Sequence, residues 1–453
     1  MTDAPSWWWT DLGGLPAPRP ALDGDREADV CVVGAGYTGL WTAYELARAD
    51  PALDVVVLEA ETAGFGASGR NGGWVLGALS GRREHWAERG GRAGAIAQAR
   101  AIAETVDEVG RVVAAEGIDC DFVKGGSLHV AQTPLELERV VAEVEESRAW
   151  EGDDELLDAA ATAARVGVAG ALGASFTPHC ARVQPAKLAR GLAHAAERAG
   201  VVICEGTRAT RIAPGRVDTP YGTVRAPHVV RATEGYTAGL PGLRRLLLPL
   251  TSSMIVTEPL GDDAWAEIGW ERSETLLDGL RRYAYLQRTA DGRIAIGGRG
   301  VPYRFGSSTD REGPLDPGTV AELRARLAEL FPVLGDVGVD GAWHGVLGVP
   351  RDWSPAVGLD PATGIAWAGG YVGEGVAAAN LAGRTLRDLL LGRSTELTSL
   401  PWVGPFARRW EPEPLRFTAV HAVHGLMRAA DERERSGGRP AIVGRVAEAI
   451  SGR

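Results

Sequence analysis

Apolar residues run through this chain in two rhythms, and their order predicts an α/β architecture. Asp29-Val30-Cys31-Val32-Val33 and Asp54-Val55-Val56-Val57-Leu58-Glu59 are short and apolar on both faces, as buried parallel strands are. Between them Thr38 to Ala49 carries apolar residues at helical spacing, so the three segments form a βαβ unit. A long helix is predicted from about Arg82 to Glu116, a strand at Phe122 to Gln132, and helices at about Leu135 to Trp150 and Asp154 to Val166. The βα rhythm then returns, with a helix over Gln184 to Ala199, a strand at Val201 to Cys204, a hairpin at Val217 to Val224 and a strand within Ala226 to Gly235. Met254 to Glu258, Tyr283 to Arg288 and Arg293 to Gly297 alternate with period two, which marks a half-exposed antiparallel sheet. A helix at Val320 to Leu330, a strand at Ile365 to Ala368 and a helix from Glu374 to Leu391 complete the pattern. Residues 1–27, broken by Pro5, Pro16, Pro18 and Pro20, read as an irregular leader.

Composition narrows the function. At 453 residues and 45% hydrophobic, the chain can build two packed domains. A formal charge of -11 repels nucleic acid and anionic membranes, which leaves a small molecule as the expected partner. Cys31, Cys120, Cys180 and Cys204 are scattered, with no metal-ligand spacing and no disulfide framework, so a reducing cytoplasm is expected and no metal. The start of the chain lacks a signal-peptide pattern, and no apolar run reaches membrane-spanning length.

The strongest motif is Gly34-Ala35-Gly36-Tyr37-Thr38-Gly39, set between strand and helix, with Glu59 ending the next strand. Gly34 permits the tight turn, Gly36 lets backbone approach a pyrophosphate at the helix N-terminus, and Gly39 lets helix and strand pack closely. Glu59, 20 residues after Gly39, can accept hydrogen bonds from an adenosine ribose. The fingerprint serves FAD and NAD alike. After Glu59, Gly64-Phe65-Gly66-Ala67-Ser68-Gly69-Arg70-Asn71-Gly72-Gly73 is too glycine-dense for an ordinary loop and suits backbone approach to a ligand.

That loop resembles the flavin-proximal loop of the D-amino-acid oxidase and glycine oxidase superfamily. The resemblance extends over Val183-Gln184-Pro185, Ala232-Thr233-Glu234-Gly235-Tyr236, Arg288 to Arg293 and Gly369-Gly370-Tyr371-Val372-Gly373-Glu374-Gly375-Val376, and is greatest to the gamma-glutamylputrescine oxidase branch. It implies FAD, held by Ser68 to Gly73 and by Gly370, Tyr371 and Gly373 to Val376 as well as by the first fingerprint. It implies a Rossmann-like FAD-binding domain of the glutathione-reductase type (1–120, 176–245 and 341–400), an antiparallel-sheet substrate domain (121–175 and 246–340) and a helical tail (401–453). The expected reaction is oxidation of a small amine or amino acid by hydride transfer to flavin N5. A 2-hydroxy acid stays open as the alternative substrate, and so does passage of the electrons to an acceptor other than oxygen. The helix after Gly373 would aim its N-terminus at the flavin pyrimidine ring, where negative charge gathers on reduction.

Two candidates remain for the reacting face. Tyr285 lies on an alternating strand with Tyr283 and Gln287 on its own side and Arg282 and Arg288 on the other, and could wall the substrate, although strand tyrosines more often simply pack. His344 lies in a stretch that the resemblance places along the flavin, as a local cation, an attachment point or an ordinary satisfied histidine. Sarcosine oxidases carry a flavin-tethering cysteine near this point. None occurs here beyond Cys204, so the FAD is expected to be non-covalent. The two lysines, Lys124 and Lys187, lie outside the substrate strands, so no lysine is assigned to oxygen activation.

Overall fold

The computed structural model describes residues 4–298, 303–309 and 315–437. Its first sheet has six strands in the order Ala356–Asp360, Ile365–Gly369, His228–Arg231, Val30–Val33, Val55–Leu58 and Val202–Cys204. All neighbours are parallel except the outermost pair, Ala356–Asp360 with Ile365–Gly369. Alternation along the inner strands explains why both faces had to be apolar. Val30, Val32, Val55 and Val57 face the helices Tyr37–Ala49, Pro185–Arg198 and Gly375–Leu390. Cys31, Val33, Val56 and Leu58 face Val217 and Val224 of a small second sheet. That small sheet joins the hairpin Arg216–Thr219 and Gly222–Arg225 to Arg211–Ala213 and to Arg26–Glu27 of the leader.

The larger sheet has eight strands in the order Val339–Val349, Leu248–Thr257, Ile294–Gly298, Tyr285–Arg288, Thr275–Asp278, Ser127–Ala131, Gly173–Thr177 and Glu155–Asp158. It is antiparallel apart from one parallel pair, Thr275–Asp278 with Ser127–Ala131. One face buries Leu128, Ile255, Leu276, Leu286 and Ile296 against Leu323, Leu327 and Leu330 of the helix Pro317–Leu330. The other face looks toward the first sheet.

Three segments depart from the reading of the sequence. Asp154 to Val166 is not one helix: Glu155–Asp158 pairs with Gly173–Phe176, and Asp158 then caps a short helix, Ala159–Ala163, by accepting the Ala161 N–H. The leader holds a helix, Trp7–Asp11, because Trp7, Trp8 and Trp9 find a buried seat beside Trp343, Met254 and Ala186. The strand Val339–Val349 passes the boundary expected at residue 340, since it pairs along its length with Leu248–Thr257 and stays in the larger sheet. The tail beyond residue 400 contains the helix Leu415–Gly437, and residues 438–453 lie outside the described part.

Candidate active site

At the first sheet the glycines do what their spacing demands. Gly34 has φ +104, and a Cβ there would lie 2.6 Å from the Ala232 carbonyl oxygen; one on Gly39 would lie 1.9 Å from the Gly34 carbonyl oxygen. Any side chain at either position prevents the turn from closing against the helix. Gly36 caps the helix Tyr37–Ala49, and a Cβ on it would meet only the Ser68 hydroxyl, at 3.0 Å, so a side chain would fill the space at the helix start. The Tyr37 N–H donates to Ser68 Oγ (2.8 Å), and the Tyr37 hydroxyl to the Pro185 carbonyl (2.9 Å). Glu59 accepts the N–H groups of Ala35 (2.7 Å) and Glu61 (3.0 Å), and burial raises its carboxyl above the ordinary range. The open helix end and the carboxylate beyond it fit a pyrophosphate and a ribose.

The glycine-rich loop, residues 64–73, is held from outside. Four successive carbonyls accept side-chain donors from three segments: Gly69 from Ser6 (2.6 Å), Arg70 from Trp343 Nε1 (2.8 Å), Asn71 from Trp8 Nε1 (2.9 Å) and Gly72 from Gln287 Nε2 (2.6 Å). The tryptophan run of the leader thus braces this loop. Within the loop, Asn71 Nδ2 donates to the carbonyls of Ala67 and Ser68, and its Oδ1 accepts the Gly73 N–H. The Arg70 guanidinium lies over the Phe65 ring and donates to the Phe65 carbonyl.

Beyond this loop, against the larger sheet, lies a cavity of about 780 Å³. Arg70, Asn71 and Gly72 line it from the loop, Gly373, Glu374 and Val376 from the start of the helix Gly375–Leu390, and Ser252, Tyr283 and Tyr285 from the larger sheet. Tyr285 shares a hydrogen bond with Ser252 (2.9 Å) and meets Trp74 edge to face. As the alternation requires, Gln287 faces the loop with Tyr285, while Arg288 turns the other way, over Trp265. Thr38 and Tyr371 meet hydroxyl to hydroxyl at 3.0 Å, which ties the first fingerprint to the last.

His344 stands opposite Ser253 on the larger sheet, outside the cavity lining, and its carbonyl accepts from Arg70 at 3.5 Å. Burial, with Arg304 and Arg70 nearby, lowers the pKa of its ring, which disfavours the local-cation role. Gly34, Gly36 and Glu59 do not line the cavity.

Two features escaped the sequence. Glu234, at φ +40, accepts the N–H groups of Gly370 (2.8 Å), Tyr371 (3.2 Å) and Gly348 (3.3 Å), and so joins the last strand of the first sheet to the edge strand of the larger one. Burial pushes its carboxyl up to about 7 against those three donors. Only the glycine-flanked motif around it hinted at a special position. The second is the helix Leu415–Gly437, whose residues Thr418, Val420, Val423 and Met427 cover the cavity.

Fold and site together are those of a flavin-dependent oxidoreductase, with a glycine-rich strand-to-helix turn in the first sheet and a cavity walled by the larger one. The sequence pattern of the FAD dependent oxidoreductase family, DAO, matches residues 29–389, and the chain belongs to that family. It is 34% identical over 408 residues to gamma-glutamylputrescine oxidoreductase of Escherichia coli, covering 86% of this chain and 90% of the relative. It is 27% identical over 428 residues to D-amino acid dehydrogenase of Cereibacter sphaeroides, with 82% and 93% covered. Among solved structures, glycine oxidase from Geobacillus kaustophilus superimposes with a TM-score of 0.68 at 23% identity, over 82% of this chain and 96% of that one. The chain is an FAD-dependent oxidoreductase. Among the described residues no helix is long and apolar enough to cross a membrane.

Proposed function

We propose that the chain oxidises a C–N bond of a small primary or secondary amine or amino acid, the imine product hydrolysing in water. FAD, held without a covalent link, would supply the hydride acceptor, with oxygen as the final electron acceptor. The observation that carries this reading is the cavity itself, where the flavin-proximal loop, the Gly375 helix start and Tyr285 converge. The protein's own part is positioning and electrostatics. Helix-end N–H groups at Gly373 to Val376 favour negative charge beside them. Tyr285, fixed by Ser252, walls the substrate, and His344 stands behind Arg70 as a neutral ring. The residue-by-residue resemblance and the chemistry in the relatives' names support this assignment. Four free, buried cysteines agree with a reducing compartment such as the cytoplasm.

One observation favours a dehydrogenase as the second reading. Lys124 is paired with Asp107 (2.6 Å) and Lys187 with Asp121 (2.9 Å), and neither lines the cavity, so no lysine there assists oxygen. The visible spectrum of the purified protein, recorded before and after anaerobic addition of amines, amino acids and 2-hydroxy acids, tests the substrate class. Bleaching by an amine is expected, whereas bleaching by hydroxy acids alone overturns the proposal. Turnover that consumes oxygen supports the oxidase; turnover that reduces only an added dye supports the dehydrogenase. The substrate ammonium must lose a proton before hydride can leave, so activity rises with pH, and a flat profile from about 6 to 10 contradicts the mechanism.

A further inference from the structure

The helix Leu415–Gly437 begins beyond the last residue matched by the family, 389, and yet it covers the reaction chamber. It is anchored at both ends and spans open space between them. At its start Arg416, only 2% exposed, donates to Glu413 (3.0 Å) and to the Arg244 carbonyl (3.2 Å), and the Tyr303 hydroxyl donates to the same Glu413 (2.5 Å). Toward its far end Asp431 accepts the backbone N–H groups of Arg281 (3.0 Å) and Arg282 (3.1 Å). Glu434 accepts from Arg139 (2.8 Å) and Arg281 (3.1 Å). These anchors place the stretch Thr418 to Met427 above the chamber, with Val420, Val423 and Met427 at helical spacing along its lining. Opposite them stand Trp74, Leu250, Leu277, Leu347 and Trp353, and the charged pair Arg351–Glu411 (3.0 Å) sits to one side against Trp410.

We propose that this helix is the substrate-selecting roof of the enzyme, and that the chamber takes an amine bearing an apolar alkyl or aryl body of several carbons in preference to a molecule of glycine size. The amine part rests on the function proposed above; the roof and the apolar body rest on the chamber. The apolar part of the wall, aliphatic and aromatic, gives a small zwitterion little to bury, whereas each methylene removed from water is worth about 0.8 kcal/mol, or about fourfold. Catalytic efficiency therefore climbs along a homologous series until the chamber is full. Val423 and Met427 set where that limit falls.

The test is kcat/KM for a series of primary amines, from methylamine to octylamine and phenylbutylamine, with glycine and sarcosine beside them. It is run on the holoenzyme and on Val423→Trp and Met427→Ala, with flavin content measured for each. We expect efficiency to rise about fourfold per methylene in the parent enzyme. The long-to-short ratio should fall at least about tenfold in Val423→Trp and rise in Met427→Ala. The two variants push in opposite directions, so loss of one to misfolding leaves the other decisive. A parent enzyme that prefers glycine or sarcosine overturns the inference, as do ratios unchanged in flavin-loaded variants. If only 2-hydroxy acids reduce the flavin, the amine reading fails; the same length series in hydroxy acids then judges the roof separately.

Discussion

The two ends of the cofactor path are built by opposite means. At the dinucleotide end the motif residues lie within about thirty positions: Gly34, Gly36 and Gly39 shape one turn, and Glu59 closes the next strand. At the chamber end no wall is local. Arg70, Tyr285, Val376 and Met427 come from four remote parts of the chain, and the loop between them is held by donors from Ser6, Trp8, Gln287 and Trp343. A site that binds an invariant group can be encoded in a short string. A site that discriminates among substrates is assembled from segments that can vary independently.

The sharpest way to break this contrast is Gly39→Val. Its Cβ would fall 1.9 Å from the Gly34 carbonyl, so a cost of about 3 kcal/mol or more and near-complete loss of bound FAD are expected in the absorption spectrum of the purified protein. Ordinary flavin content in that variant means that the local string does not govern the dinucleotide end. Glu434→Ala tests the remote end. It removes the carboxylate that Arg139 and Arg281 share, at an expected cost of about 1–3 kcal/mol, and hydrogen exchange over 415–437 should rise while flavin content holds.

Glu234→Gln probes the joint between the two ends. Its amide group must face an N–H donor, for a loss of about 1–3 kcal/mol. The native carboxyl is pushed up to about 7, so its contribution to stability is complete below the unfolded carboxyl range near 4.5 and is lost as pH rises through 7. Thermal melts from pH 5 to 8 should show the parent protein losing that increment and the variant lacking it; parallel curves contradict the assignment. The smallest effect is expected of His344→Asn. The carbonyl that meets Arg70 is main-chain and survives, so kcat should change less than about twofold and acid should still release all the flavin.

Legibility divides along the same line. The βαβ unit, the FAD fingerprint, the alternation that brings Tyr285 and Gln287 to one face, and the helix at Gly375 could be read from spacing and from resemblance, because each is fixed by nearby residues. Glu234 could not, since its value lies in N–H groups more than a hundred residues away. Asp154 to Val166 misled because its strand residues look helical in isolation and are held by pairing with Gly173–Phe176. The roof helix carried a helical pattern but no sign of what it would cover.

The tryptophans around the loop have a consequence of another kind. Trp7, Trp8, Trp9 and Trp343 form one cluster against the glycine-rich loop, and Trp74 lines the chamber beside it, so five of the chain's 14 indoles gather where the isoalloxazine is proposed to sit. Oxidised flavin absorbs where indole emits. Filling the groove should therefore darken the protein's intrinsic fluorescence, giving an optical titration of cofactor loading that needs neither substrate nor turnover.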